Sequence, residues 1–335
     1  LVEQGHAVVG ATLKLWGGES DSGCCSVADV EDARRVAQQL GIEHHVFNLT
    51  EDFDRHVVSP YVGEHAAGRT PNPCIECNRT MKFDRLLRRA ERLGFDRLAT
   101  GHHARVGAAR AAGGALSLRR GVDGAKDQSY VLSMLGQAEL ARVLFPVGEM
   151  TKEEVRSHAV GLGLRTALKP DSQDVCFIGS AEGREGFLGA RMALHPGALV
   201  DAQGVPAGTV SAVELVTVGQ RRGMGHGNDG QRRYVTHVDV RSRRVTVGSA
   251  AEALCPSVLL GVSSLTWLAR PLGPGDRAVA QVSAHGRPVP CVLGRDEAGL
   301  RVCFDSPQRP VAPGQTVALY DALDPDAVVG AGVAA

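Results

Sequence analysis

The stretch Met81-Lys82-Phe83-Asp84-Arg85-Leu86-Leu87-Arg88-Arg89-Ala90-Glu91-Arg92-Leu93-Gly94-Phe95-Asp96-Arg97-Leu98-Ala99-Thr100-Gly101-His102-His103 carries a helix, its stop and a strand. Phe83, Leu86, Leu87, Ala90 and Leu93 recur at helical spacing, with Arg79, Arg85, Arg88, Arg89 and Arg92 on the other faces. Gly94 ends that helix, and residues 97–100 read as a short strand running into Gly-His-His. Upstream the same alternation holds. Residues 7–13 form an apolar strand, and 27–40 a helix with Ser26 as N-cap and Gly41 just past its end. Residues 46–49 read as the next strand, and Thr50 as the cap of a short helix through 58. Strand, helix, strand at these intervals predicts a parallel α/β sheet covered on both faces. Such sheets bind ligands at the carboxyl ends of their strands, which places the residues just after Leu13 and the turn after Thr100 beside a ligand.

Helical patterning continues over 130–144 and 151–160, where Thr151-Lys152-Glu153-Glu154 is a capping box. Beyond about residue 190, Pro/Gly punctuation and short β-rich runs take over, with 234–240 and 244–247 forming a hairpin. The residues from 257 onward predict a small closed barrel. The expected organisation is an α/β catalytic domain over 1–185, a small central β-rich domain over 186–254 and a C-terminal β-barrel over 255–335. The Gly/Ala tract 107–115 is expected to be an exposed loop, and the tail 328–335 to fray.

A length of 335 residues suits two or three domains, and 43% hydrophobic with 22% charged residues suits packed cores rather than disorder. Lys plus Arg equals Asp plus Glu at 37 each, so any nucleic-acid surface must be local. Arg221, Arg222, Arg232, Arg233, Arg241, Arg243 and Arg244 supply such local charge in the β region. No apolar run approaches the roughly 20 residues that span a bilayer, and no signal-peptide pattern opens the chain, so a cytoplasmic protein with no membrane association is expected. Leu1-Val2-Glu3-Gln4-Gly5 reads as the last turn of a helix closed by glycine, and the expectation is that a strand, a turn and most of a helix precede it.

Eight cysteines at irregular spacing point to reduced thiols, ligands or catalysts rather than a disulfide scaffold. Cys74-x-x-Cys77, within Thr70-Pro71-Asn72-Pro73-Cys74-Ile75-Glu76-Cys77-Asn78, is alone compatible with half a zinc site, a redox pair or two unrelated thiols. Pro71 and Pro73 stiffen the loop, and Asn78 is expected to cap a helix starting there. Cys77 would then sit at a helix N-terminus, whose partial positive charge stabilises a thiolate, the form a nucleophile needs. Cys176 follows the turn-rich Pro170-Asp171-Ser172-Gln173-Asp174 and precedes Phe177-Ile178-Gly179; a buried cysteine opening a strand is the alternative there. Cys24, Cys25, Cys255, Cys291 and Cys303 read as packing thiols.

Five motifs occur in order: Thr70-Pro71-Asn72-Pro73-x-x-x-Cys77-Asn78-x-x-x-Lys82-Phe83, Ala99-Thr100-Gly101-His102-His103-Ala104-Arg105, Lys126-Asp127-Gln128-Ser129-Tyr130, Asp171-Ser172-Gln173-Asp174-Val175-Cys176-Phe177-Ile178-Gly179 and Gly219-Gln220-Arg221-Arg222-Gly223. Over essentially the whole chain they resemble the bacterial tRNA-specific 2-thiouridylases. That resemblance implies an ATP-pyrophosphatase domain of the adenine-nucleotide α-hydrolase type, a central domain and a C-terminal barrel. It implies ATP- and Mg²⁺-dependent exchange of the C2 oxygen of the wobble uridine, position 34, for sulfur in tRNAs of the Lys, Glu and Gln type. Cys176 matches the cysteine that receives sulfur as a persulfide from a cysteine desulfurase or relay protein. Cys77 matches the nucleophile that attacks it, leaving sulfide or a Cys77–Cys176 disulfide. Leu13 and Gly101 match the nucleotide pocket, and His102 a residue reaching tRNA or phosphate. Asn72, Pro73 and Cys74 match the stretch facing the flipped base, while Lys126, Asp127, Gln128 and Gln315 match tRNA contacts.

The chain departs from that pattern in three places. The family's Ser-Gly-Gly-x-Asp-Ser phosphate loop does not occur in this sequence, so the chain as written is expected to bind ATP poorly. Cys74 stands where many members carry an aspartate, and Ser283-Ala284-His285-Gly286 where an Arg-Tyr contact is expected. Cys74 also opens a cluster reading, in which Cys74, Cys77 and Cys176 hold three corners of a [4Fe-4S] cluster whose fourth iron carries sulfide. Two further alternatives are a tRNA-binding or redox module with an inactive catalytic domain, and a related enzyme that adenylates a small carbonyl compound.

Overall fold

The computed structural model describes all residues except 17–26, 109–113, 170–174, 180 and 228–229. Strand β1 (Val9–Lys14), helix α1 (Val27–Gln39) and strand β2 (Glu43–Asn48) form the expected unit, with the two strands paired in parallel from Val9↔Glu43 to Lys14↔Asn48. Ser26, the expected cap of α1, lies outside the described residues. The next helical run passes from α2 (Thr50–Phe53) through a π-helical turn, Asp54–Val58, into α3 (Ser59–Ala66), burying Phe53, Val57, Val58 and Tyr61. Thr50 does not cap it. Asn48 Oδ1 instead accepts from the Thr50 amide at 3.2 Å and its hydroxyl at 2.8 Å.

A second run passes from α4 (Pro73–Glu76) through π-helical Cys77–Leu86 into α5 (Leu87–Arg92). It delivers the chain to β3 (Leu98–Ala99). A hairpin of β4 (Ala104–Ala108) and β5 (Leu116–Arg120) follows, so Gly107 and Ala108 of the expected loop are strand residues, while 109–113 lie outside the described residues. The helix expected over 130–144 is instead two single turns, α6 (Ser129–Leu132) and α7 (Gln137–Leu140), followed by β6 (Val143–Leu144). Gly136 breaks it, since its backbone is extended and its amide donates to Glu139 Oε2 at 2.8 Å to start α7. The freed Val143–Leu144 pairs in parallel with β3. Helix α8 (Lys152–Gly161) opens on the expected Thr151–Glu154 capping box, and α9 (Gly183–Gly189) leads out of the α/β region. Among the described residues no helix is long and apolar enough to cross a membrane.

The central region is a four-stranded sheet of β7 (Gly197–Val200), β8 (Pro206–Val210), β9 (Tyr234–Asp239) and β10 (Arg244–Gly248), in the order β8-β7-β10-β9. The β9–β10 hairpin turns at Arg243, whose φ of 52° is left-handed. The remaining strands are β11 (Cys255–Gly261), β12 (Thr266–Trp267), β13 (Arg277–Gln281), β14 (Val289–Asp296), β15 (Gly299–Gln308), β16 (Thr316–Asp321) and β17 (Ala327–Val333). They follow the order β11-β15-β14-β13-β16-β17, and a bridge from Ala334 back to Leu260 closes the ring.

Two features of this barrel differ from expectation. The tail does not fray, because β17 pairs with β16 on one side and with β12 and β5 on the other, which buries Val328, Val329 and Ala331. The sheet also crosses into the α/β region, since β5 adds to β17 and β4 adds to β5. Arg119 clasps Asp324 with two bonds of 2.7 and 3.0 Å, and Arg105 reaches Asp326 at 3.2 Å. One apolar core therefore includes Ile75, Phe83 and Tyr130 together with Ala318, Tyr320 and Val328 of the barrel.

Candidate active site

Asn72 opens α4 in extended conformation, and its Oδ1 accepts from the amides of Cys74 at 3.0 Å and Ile75 at 3.3 Å. With Pro73 at the first helical position, this is a full N-cap. The helix therefore starts six residues before the Asn78 cap expected from sequence, and Cys74, not Cys77, lies in its first turn. Asn78 is buried and donates to the Val131 carbonyl at 3.2 Å. The dipole argument that singled out Cys77 thus applies to Cys74. Cys74 is exposed at the surface, yet desolvation by the protein around it pushes the thiol up, and the Lys82 ammonium pulls it back.

Cys77 is 9% exposed and belongs to an aromatic core with Phe53, Tyr61, Phe177 and Phe187. Val175, Cys176 and Ile178 pack against the same core, as does Leu13 at the end of β1. The structure so brings Leu13, Cys77 and Cys176 to one cluster, and neither cysteine is in a disulfide. The Asp171-Ser172-Gln173-Asp174 stretch lies outside the described residues. Among the described residues no group of three His, Cys, Asp or Glu side chains is arranged to hold a metal ion.

Gly101 is exposed beyond the end of β3, with open space where a side chain would stand. His102 differs from its sequence reading. It is 7% exposed, its ring packs against Phe83 and Phe145 at 5.8 and 5.9 Å, and its Nδ1 lies 2.7 Å from Thr100 Oγ1. Burial lowers its pKa to about 3, helped by Lys82 and His103, so this imidazole is a neutral ring.

Of the Lys126-Asp127-Gln128 segment, only Lys126 is exposed. The Asp127 side chain is 6% exposed and is engaged by Arg120 at 2.7 Å, the Ser129 hydroxyl at 2.9 Å and the amides of Gly121 and Ser129. Gln128 accepts from the His103 amide at 2.9 Å and donates its own amide to the His103 carbonyl. The Asp127 carboxylate and the Gln128 Oε1 therefore shape this segment. Gln315 likewise holds a turn, with Oε1 accepting from the Ala312 amide at 3.0 Å. That turn lies against the thiol loop: Thr70 donates to the Pro313 carbonyl at 2.7 Å, and a side chain on Gly314 would meet the Thr70 amide at 3.1 Å. A cleft of about 410 Å³ runs between Arg120, Asp127, Gln281, Ala284 and His285, away from the thiols.

Sequence reasoning missed Tyr130, Arg120 and Lys82 as parts of the site. The Arg120 guanidinium stacks 3.8 Å from the centre of the Tyr320 ring while it holds Asp127. His65 was missed as well. Its ring stands edge-on to Tyr61 at 4.6 Å, and burial lowers its pKa to about 4.

Both histidines have folded values below 6.5, so between that value and about 4 the unfolded chain binds protons that the folded chain does not, and stability falls as pH drops. From pH 7.5 to 5.5 each should contribute a loss of about 1 kcal/mol, read from urea midpoints. His65→Gln and His102→Asn should each flatten that slope, and an unchanged slope in both variants would contradict it.

The chain thus combines an α/β unit with parallel strands and two thiols packed at one core, a β-sheet module and a closed barrel. Residues 1–180 match the family described as the tRNA methyl transferase HUP domain, 185–249 its PRC-barrel domain and 257–334 the aminomethyltransferase β-barrel domain. The chain is 44% identical to the tRNA-specific 2-thiouridylase MnmA of Roseiflexus sp. (strain RS-1), over 99% of this chain and 93% of that protein. It is 41% identical to that of Thermobifida fusca over 98% and 89%, and 42% identical to that of Mycobacterium avium over 97% and 90%. The chain belongs to the tRNA-specific 2-thiouridylase family.

Proposed function

We propose that this protein replaces the C2 oxygen of the wobble uridine of tRNA with sulfur, and that Cys176 and Cys77 carry the sulfur. The packing of Cys77 and Cys176 against one aromatic core is the observation that supports this reading most directly. The family descriptions say methyl transferase, whereas relatives at 41–44% identity are named 2-thiouridylases, and two thiols at one core suit sulfur transfer.

Uracil C2 oxygen is a poor leaving group, and ATP supplies the adenylyl group that converts it to one, with Mg²⁺ neutralising phosphate oxygens. Leu13 and Gly101 are the residues of this chain proposed to border the nucleotide, at the ends of β1 and β3. Cys176 receives sulfur as a persulfide from a cysteine desulfurase or relay protein. The Cys77 thiolate attacks the Cys176 sulfur, forming a Cys77–Cys176 disulfide and releasing hydrosulfide. Hydrosulfide then adds at C2, and AMP departs with the original oxygen. Two equivalents of an external thiol reduce the Cys77–Cys176 disulfide back to two thiols and leave as their own disulfide. A neutral His102 can donate or accept one hydrogen bond here without adding charge. Asn72, Pro73 and Cys74 lie on the helix start proposed to face the target base, and Lys126 with the Gln315 turn on the side proposed to meet the tRNA backbone.

The test incubates the protein with ATP, Mg²⁺, a persulfide donor and unmodified tRNA bearing a wobble uridine, followed by nucleoside mass spectrometry. 2-Thiouridine should form only with ATP present. Unmodified uridine, or formation independent of ATP, would overturn the proposal.

A further inference from the structure

We infer that Thr70 is a positioning residue, held in a socket built by the central region and the C-terminal barrel, that fixes where α4 and its first thiol begin; its catalytic consequence rests on the thiolation reading above. The Thr70 amide donates to the Pro313 carbonyl, in the connection from β15 to β16, at 2.7 Å. Its hydroxyl donates to the hydroxyl of Thr217, in the central region, at 3.4 Å. One half-buried residue of the α/β region therefore bonds to both other modules.

Each wall of the socket is itself fastened. Gln220, from the Gly219-Gln220-Arg221-Arg222-Gly223 motif, accepts from the Thr217 amide through Oε1 at 3.2 Å and donates through Nε2 to the Arg222 carbonyl at 2.9 Å. Gly219 of the same motif brings this turn against the barrel, since a side chain there would meet Pro310 Cγ at 3.2 Å. On the barrel side the Gly314 amide donates to the Ala334 carbonyl at 2.9 Å, and the Ala334 amide to the Gln315 carbonyl at 2.8 Å. Gly314 has a φ of 88°, and a side chain on it would lie 3.1 Å from the Thr70 amide nitrogen and 3.2 Å from Arg69 Cβ. The turn admits Thr70 because it is glycine there.

The link from Thr70 to the thiol is short and stiff. Pro71 and Pro73 have fixed φ, and each holds the residue before it in extended backbone, as Asn72 shows with φ −104° and ψ 100°. Asn72 Oδ1 then caps the Cys74 and Ile75 amides. A shift of Thr70 is therefore carried to the first turn of α4 instead of being absorbed on the way.

Gly314→Ala and Gly275→Ala, each in the full chain, separate the socket from backbone strain. Gly275 is also in the barrel, at a φ of 86°, but a methyl there stands in open space, so it brings the same strain without touching Thr70. Hydrogen exchange followed by mass spectrometry should show the amides of residues 74–78 exchanging about tenfold faster in Gly314→Ala and unchanged in Gly275→Ala. Thiolation kcat should fall about tenfold in the first variant only, with KM for tRNA within about twofold of normal. Gln220→Ala loosens the other wall and should speed exchange at 74–78 about threefold, and it decides alone if Gly314→Ala does not fold. Unchanged exchange at 74–78 in the socket variants that fold would overturn the inference, as would equal acceleration in Gly275→Ala or a raised KM with unchanged kcat. If the unaltered protein forms no 2-thiouridine, the thiolation reading fails, and the exchange results alone decide for or against the socket.

Discussion

A Cys176→Ser chain should bind tRNA within about twofold of the unaltered protein and form 2-thiouridine at least about a thousandfold more slowly. A serine oxygen has nearly the size of the thiol but cannot hold a sulfur atom in a labile bond, so only the transfer is lost. Cys176 is half-buried at the edge of its core and should tolerate the change with little cost in stability. Cys77→Ala should be equally inactive for a different reason. With no thiolate to attack it, the persulfide should persist on Cys176 and appear as added sulfur by intact-protein mass spectrometry. Residual thiolation within tenfold of normal in either variant would remove that cysteine from the proposed route. Cys74→Ala separates the routes from the other side: full activity agrees with a two-cysteine mechanism and leaves the three-cysteine cluster reading without its third ligand.

Phe177→Ala should be the most destabilising single change near the site, costing about 3–5 kcal/mol. Its ring lies 5.2 Å from Phe187, 5.5 Å from Phe53, 5.6 Å from Tyr61 and 6.1 Å from Trp16, so truncation opens a void that four other rings line. Rigid rings on separate elements cannot all move inward to refill it. Against a total stability of roughly 5–15 kcal/mol this is a large fraction. Because Phe177 follows Cys176 directly, thiolation should fall with stability. Urea unfolding would check this through a lowered midpoint at unchanged slope; a loss below about 1 kcal/mol would mean that the core collapses around the change.

Local signals made much of this legible in the sequence. Parallel strands separated by a helix announce themselves through spacing, and Gly94 and the Thr151 capping box act within a few residues of the element they bound. The start of α4 was also readable, since Asn72-Pro73 is a cap followed by proline at the first helical position, yet the competing Asn78 drew the boundary past the first thiol. What stayed hidden depends on distant partners. Residues 328–335 read as a loose tail because nothing in them reveals that β16, β12 and β5 wait on both sides. The thiols were visible as residue types, while the hydrogen bond of the Tyr130 hydroxyl was not, because its partner is a backbone carbonyl 186 residues further on. The neutrality of His102 follows from two phenylalanines that fold around it, one of which lies beyond β6.

The hairpin of β4 and β5 bears on how these modules could be exchanged between proteins. By sequence the last eighty or so residues look portable, a self-contained ring with its own core. Cut free, however, they would lose the strand that covers Ala327 and Val328 and the two arginines that neutralise Asp324 and Asp326. An uncovered edge beside unmatched carboxylates invites pairing with other chains. A recombination event that moved the barrel would have to carry a segment from two hundred residues earlier, which favours inheriting the catalytic and C-terminal parts together.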